Sequence, residues 1–263
     1  MSDHMLWAEA KDKASVGDQL KGYAFFGHPS KSTSIFPPRI ESAFLLTPAG
    51  ERIGLDLKKG EWLPGYGNMD YLFSDMMLYW PGDYVFGLVR SPGVYDLSWH
   101  GGKSGLFLSR SFAKVIIHAE GQNVQESQGA WDAGFPLEIL PERAPYSVKA
   151  MESLKLKVKY LNQPVKASYY ASYWAWDESG DPRVQRGTTE EDGSFSVDLN
   201  RGGMWIIDAS LTQEESGTLI ADNSKSKFYK AGDVLEYKTV QIKTELTIWV
   251  RENRSRTPSS KGE

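Results

Sequence analysis

The chain contains no cysteine. That excludes disulfide scaffolds and thiolate metal sites, and it leaves imidazole as the main ligand for any transition metal. Histidine is scarce too, at four residues: His4, His28, His100 and His118. No window of 18 consecutive apolar residues occurs, so no segment reads as a membrane-spanning helix. Long amphipathic helical patterns are rare. A basic surplus is also missing: the net charge is −4, which argues against a nucleic-acid partner. There is no Gly-x-Ser-x-Gly elbow, phosphate loop or His-Glu-x-x-His motif, so the chain reads as a non-enzyme. A β-sandwich glycosidase stays formally open, because sequence alone cannot pair carboxylates across a cleft.

What the chain has is length, 263 residues, and short strand-like runs between turn signals. These read as an antiparallel all-β protein. The clearest run is Ser153 to Tyr160, where Leu154, Leu156, Val158 and Tyr160 alternate with Lys155, Lys157 and Lys159. Period two marks a strand with one wet face. Other strand candidates run from Gly22 to Phe26, Ile40 to Leu46, Tyr84 to Val89, Ala113 to Ala119, Met204 to Leu211 and Val234 to Val250. Thr47-Pro48-Ala49-Gly50 reads as a hairpin turn, and Asp192-Gly193 as a stronger one. Residues 63–83, broken by Pro64, Gly65, Gly67 and Pro81-Gly82, read as a long irregular loop with one helical turn near 74–78. Two prolines around Leu140 to Pro145 suggest a boundary. The expected units are then residues 4–141 and 146–250, with a disordered tail over 251–263.

The opening residues lack a basic n-region and an apolar h-region. Either the protein is cytosolic, or a short leader stands where a signal peptide was removed. If Met1 were lost, Ser2-Asp3-His4 would offer an amine, two amides and an imidazole in a plane, a geometry that selects Cu²⁺ or Ni²⁺. The bland reading is that the tripeptide is only a leader. His28, between Gly27 and Pro29, reads as a strand-end or loop histidine. His100 lies in a glycine turn. Alternation places His118 with Ile116, which favours a hydrogen-bonded, partly buried role over a ligand role. Met76 and Met77 could be soft ligands but read better as packing. Asp177 to Asp181 has the oxygen spacing of half a calcium loop, but Thr188 stands where the closing glutamate belongs.

Aromatics supply a rival function. Tyr170, Trp174 and Trp176 fall on one strand face. Exposed, that face would stack on a sugar; buried, it is sandwich core.

Several motifs in order resemble a known family. They are His4-Met5-Leu6-Trp7, Ala24-Phe25-Phe26-Gly27-His28-Pro29, Pro81-Gly82-Asp83-Tyr84, Ser111-Phe112-Ala113-Lys114 and Phe135 to Pro141. In the second half come Leu154 to Val158, Gln163 to Ala167, Thr188 to Phe195 and Gly203 to Ala209. Together they resemble the uncharacterised bacterial and archaeal family known as the periplasmic component of cobalt/nickel ABC-type (ECF) transport systems, over roughly residues 4–250. The resemblance implies two tandem antiparallel β-sandwich units, the second similar to immunoglobulin-like and carboxypeptidase-regulatory modules. It implies a secreted, periplasmic or extracellular, non-enzymatic protein with a divalent-metal role, its signal peptide removed. It also raises the ligand reading of His28 and makes His4 a mature-like start. The expectation is therefore that His4 and His28 share Ni²⁺ or Co²⁺, with Cu²⁺ or Zn²⁺ open and His100 and His118 as lesser candidates. The partner would be a membrane metal transporter. Imidazole must be neutral to bind, so affinity should fall below about pH 6. The alternative is a carbohydrate- or protein-binding module on Tyr170, Trp174 and Trp176.

Overall fold

A computed structural model describes residues 4–28, 35–64, 66–96, 98, 105–122, 131–173, 184–225 and 228–253. Among the described residues, twenty-one strands carry almost all of the regular structure. In the first half they are β1 (Met5–Glu9), β2 (Lys13–Ser15), β3 (Gln19–Gly27), β4 (Ile35–Phe36), β5 (Ile40–Leu46), β6 (Arg52–Gly54), β7 (Lys58–Leu63), β8 (Gly67–Met77), β9 (Gly82–Arg90), β10 (Gly93–Asp96), β11 (Leu106–Glu120) and β12 (Leu137–Pro141). In the second they are β13 (Glu152–Tyr160), β14 (Gln163–Pro164), β15 (Ser168–Tyr173), β16 (Gln185–Thr188), β17 (Ser194–Leu199), β18 (Gly203–Gln213), β19 (Gly217–Ile220), β20 (Val234–Tyr237) and β21 (Thr239–Val250). The expected all-β class is the observed one.

The strands form three layers. In the middle lies a ten-stranded sheet, ordered β16-β15-β18-β21-β11-β9-β5-β6, with β2 and β10 also on β11. One face is covered by the four strands β12, β13, β14 and β17. The core there joins Leu154, Leu156 and Val158 to Phe112, Trp205, Ile207, Leu246 and Ile248. The other face is covered by β1, β3, β8, β7 and β4. There Leu6, Ala8 and Ala24 meet Phe86, Leu88, Ala113, Val115 and Ile117.

Two expectations change. The boundary near 141–146 does not separate two sheets. Strand β21 from the end of the chain pairs in parallel with β11, Phe107 opposite Thr239 through Val115 opposite Thr247. Strand β12 crosses over to pair with β13. One continuous sheet therefore runs through both halves, and it is mixed rather than purely antiparallel. Residues 67–77 are not an irregular loop with a helical turn but the regular strand β8. Its two faces are both apolar: Met69 and Tyr71 enter one cluster, Leu72 and Met76 another. Buried on both sides, the strand shows no polar alternation to read.

The two turns also differ. Thr47 to Gly50 closes the hairpin β5–β6, with Gly50 at φ +83°. Gly193 sits at φ +76° as a turn residue should, but β16 and β17 belong to different sheets. That turn crosses between layers instead of closing a hairpin. Asp192 Oδ1 accepts the Ser194 N–H at 3.0 Å and holds it. The tail is ordered as far as Asn253, whose Nδ2 donates to Ala150 O at 2.6 Å. The rest of it lies outside the described residues.

Candidate functional site

The register of β1 on β3 brings the first two histidines together. Met5 stands opposite Gly27 and Leu6 opposite Phe26, so the next step outward puts His4 opposite His28. Directly opposed residues carry their Cβ atoms about 5 Å apart, and here the rings meet, 4.6 Å between centres at 70°. His4 is exposed and His28 half-buried. The His4 ring also contacts Phe26 at 5.5 Å and Phe36 at 5.7 Å.

The spacing can be tested against metal chemistry. An imidazole nitrogen lies about 2.0–2.1 Å from a bound ion, which puts the ring centre roughly 3.1 Å from it. Two centres 4.6 Å apart then subtend about 95° at a shared ion. That is a cis pair; a linear pair would hold the centres about 6 Å apart. The two residues therefore fit two positions of a tetrahedral or square coordination sphere. No group of three or more His, Cys, Asp or Glu suited to a metal occurs among the described residues.

His118 is placed differently. Its Nδ1 bonds to Asp83 Oδ1 at 2.7 Å, and its ring stacks on Tyr146 at 4.6 Å. Asp83 Oδ2 accepts from Trp131 Nε1 at 2.7 Å and from the Tyr146 hydroxyl at 3.2 Å. A carboxylate behind a histidine is how metal ligands are oriented. Here the same carboxylate ties β9 and β11 to the segments carrying Trp131 and Tyr146, and His4 and His28 are not part of it. His100, Trp174, Trp176 and the Asp177 to Asp181 segment lie outside the described residues. Tyr170 is half-buried and packs against the cluster of Met204 and Ile206, with the Arg186 guanidinium 5.7 Å from its ring. Met76 is buried in the core between β8 and the central sheet.

Between the histidine pair and the centre of the fold lie charged groups that the sequence motifs did not bring forward. The Arg90 guanidinium sits 4.1 Å from the Phe26 ring centre and 5.7 Å from that of Tyr95, to whose oxygen it donates at 2.5 Å. Lys225 Nζ lies 4.2 Å from the same Tyr95 ring. Burial, and then Arg90, lower the Lys225 pKa. Deeper, Asp208 and Glu245 face each other across β18 and β21. Strand β1 lies with its free edge on this face: Trp249 Nε1 donates to Ala10 O at 2.9 Å, and the Leu6 N–H is directed at the Glu245 carboxyl. Among the described residues, neither Glu245 oxygen comes within hydrogen-bonding geometry of a partner. Burial pushes this carboxyl well above the usual range, Asp208 pushes it further, and Lys243 and Arg90 pull it back. Glu9, at the end of β1, is pushed by burial up to about 7, against hydrogen bonds from Tyr66 and Trp7. On the opposite face Lys114 and Glu138, both fully buried, pair with each other.

Glu9, Arg90, Asp208 and Glu245 leave one mark in the sequence, a charge in a mainly apolar strand. Their meeting depends on sheet register, which no local pattern carries.

In comparison with known proteins, the model of a family described as a domain of unknown function (DUF4198) matches residues 2–213. No curated protein matches the chain. Among the described residues no helix is long and apolar enough to cross a membrane.

Proposed function

This chain belongs to the DUF4198 family, and for it we propose a non-enzymatic role outside the cytoplasm: capture of Ni²⁺ or Co²⁺ on His4 and His28, and assistance in its uptake by a membrane transporter. The observation that carries the reading is the cross-strand imidazole pair, 4.6 Å between ring centres. Two neutral nitrogen donors suit first-row divalent ions. Two protein ligands leave the remaining positions to water or to a partner's donors. Such a site holds its ion loosely and gives it up readily, which suits hand-over better than storage. A carbohydrate- or protein-binding module on Tyr170, Trp174 and Trp176 has less support, since the Tyr170 ring is taken up by packing against Met204 and Ile206.

Calorimetry with Ni²⁺, Co²⁺, Cu²⁺ and Zn²⁺ tests the reading. His4→Ala and His28→Ala should each weaken binding at least tenfold, about 1.4 kcal/mol. Binding unchanged in both variants, or absent from the parent chain, would refute it.

A further inference from the structure

The ring of His118 is fixed at one edge and open at the other. Its Nδ1 donates to Asp83 Oδ1 at 2.7 Å, and Tyr146 covers one ring face, 4.6 Å between centres. Asp83 is almost fully buried and is itself held by Trp131 Nε1 and the Tyr146 hydroxyl. A carboxylate accepts and does not donate, so Nδ1 carries the proton, and the neutral ring keeps its lone pair on Nε2. Nε2 has no hydrogen-bond partner among the described residues and opens to solvent, the side chain being 16% exposed. Proteins orient an imidazole for a metal in this way, with a carboxylate behind the far nitrogen. A second donor stands beside it. Lys13 of β2 is directly opposite His118 of β11, so their side chains project to one side of the sheet. Lys13 Nζ accordingly lies 5.6 Å from the Tyr146 ring centre, and it also lies 4.0 Å from Glu120 Oε1. Glu120 is two residues beyond His118 on β11, on the same face and about 6.7 Å further along the strand. Its carboxylate is exposed, and a 4.0 Å contact between two exposed groups holds it only weakly.

We propose that His118 Nε2 and the Glu120 carboxylate form a second metal site, for a divalent first-row transition ion, with water in the remaining positions. One imidazole and one carboxylate are donors that Zn²⁺, Co²⁺ and Ni²⁺ all accept. Asp83 does not touch the ion; it sets the tautomer and aims the ring. Lys13 is the cation that the metal displaces from Glu120. The site does not rest on the histidine pair. His118 and Asp83 meet at one end of β9 and Arg90 stands at the other, beside Phe26, which His4 touches. Those seven residues of strand span about 23 Å. The ring of His118 also faces the layer of β12 and β13 through Tyr146, whereas His4 lies on the layer of β1 and β3.

The test is a Zn²⁺ titration of the full ¹⁵N-labelled chain, read histidine by histidine in long-range ¹H–¹⁵N spectra of the imidazoles. Before metal, His118 should show the Nδ1–H form. Its Nε2 signal should then move as Zn²⁺ is added. Glu120→Gln should weaken that response about fivefold, and Lys13→Met should strengthen it about twofold because the competing cation is gone. His118→Gln should remove one bound ion in calorimetry. If that variant does not fold, Glu120→Gln and Lys13→Met, both at the surface, carry the test. His4→Ala and His28→Ala should leave the His118 response unchanged, so the two metal sites stand or fall separately. An Nε2–H ring, an Nε2 signal unmoved by a large excess of Zn²⁺, or a response indifferent to both Glu120→Gln and Lys13→Met would overturn the proposal.

Discussion

Replacing Glu9 by glutamine should make the protein more stable, and increasingly so as pH rises. Glu9 lies on β1 among Trp7, Phe25 and Tyr66, which stack with centres 5.2 and 5.0 Å apart. Tyr66 and Trp7 both donate to its Oε1. Its pKa rises from 4.5 to about 7 in the fold, with burial as the largest cause. The folded state therefore holds its proton longer than the unfolded chain does. Stability is intact below the unfolded value and is lost as pH climbs from about 4.5 through about 7. At 1.36 kcal/mol per pKa unit the full loss is about 3 kcal/mol, and roughly 2.5 kcal/mol of it falls between pH 5 and pH 8. Glutamine keeps the accepting oxygen and places an amide where the protonated carboxyl has its O–H. Urea unfolding of both proteins, followed by tryptophan fluorescence, should show the advantage of Glu9→Gln growing by about 2.5 kcal/mol from pH 5 to pH 8. Other titrations, that of Glu245 included, cancel in the difference. An advantage that stays flat with pH would refute the reasoning, since it would mean that Glu9 ionises in the fold as easily as in water.

Three further outcomes follow from the same buried groups and turns. Glu245→Gln should change stability by less than about 1 kcal/mol in urea unfolding, because burial and Asp208 push the pKa of the carboxyl it replaces well above the usual range; a larger loss would show a buried carboxylate with partners. Lys114→Met leaves Glu138 buried with, among the described residues, the N–H groups of Ala133 and Phe135 as its donors, and should cost about 3–5 kcal/mol, most of it recovered in the double variant Lys114→Met/Glu138→Gln. Gly193→Ala puts a Cβ 2.2 Å from Val158 O at φ +76°, whereas Gly50→Ala meets nothing within 4 Å at φ +83°; thermal melts should show Gly50→Ala costing about 1 kcal/mol and Gly193→Ala clearly more.

Local patterns carried the strands whose two faces differ. Leu154, Leu156 and Val158 are fully buried while Lys155 and Lys157 are exposed, so their alternation could be read directly. Strand β8 escaped because apolar residues line both its faces. The histidine pair was half legible: both residues could be singled out, but their meeting rests on the register of β1 against β3. A one-residue slip would send His4 to the opposite face. Arg90 and Glu245 were illegible as a pair, since they come from β9 and β21 and meet only once the central sheet has formed. The division into halves failed for the same reason. Pro141 and Pro145 lie in the connection between β12 and β13, neighbours in one sheet, and nothing local announces that β21 returns to β11.

That return has a consequence for how the molecule is made. Strand β21 is synthesised after every other strand of the central sheet, yet it sits in the interior of that sheet between β18 and β11. Until Val250 is available, β11 lacks a neighbour along Phe107 to Val115, and β18 lacks one along its whole length. Non-local pairing of this kind slows folding and leaves strand edges open meanwhile. The nascent chain cannot complete its sheet domain by domain during synthesis. A variant lacking only Thr239–Val250 should therefore lose the fold of both halves rather than of the second alone, since this strand bridges β11 and β18.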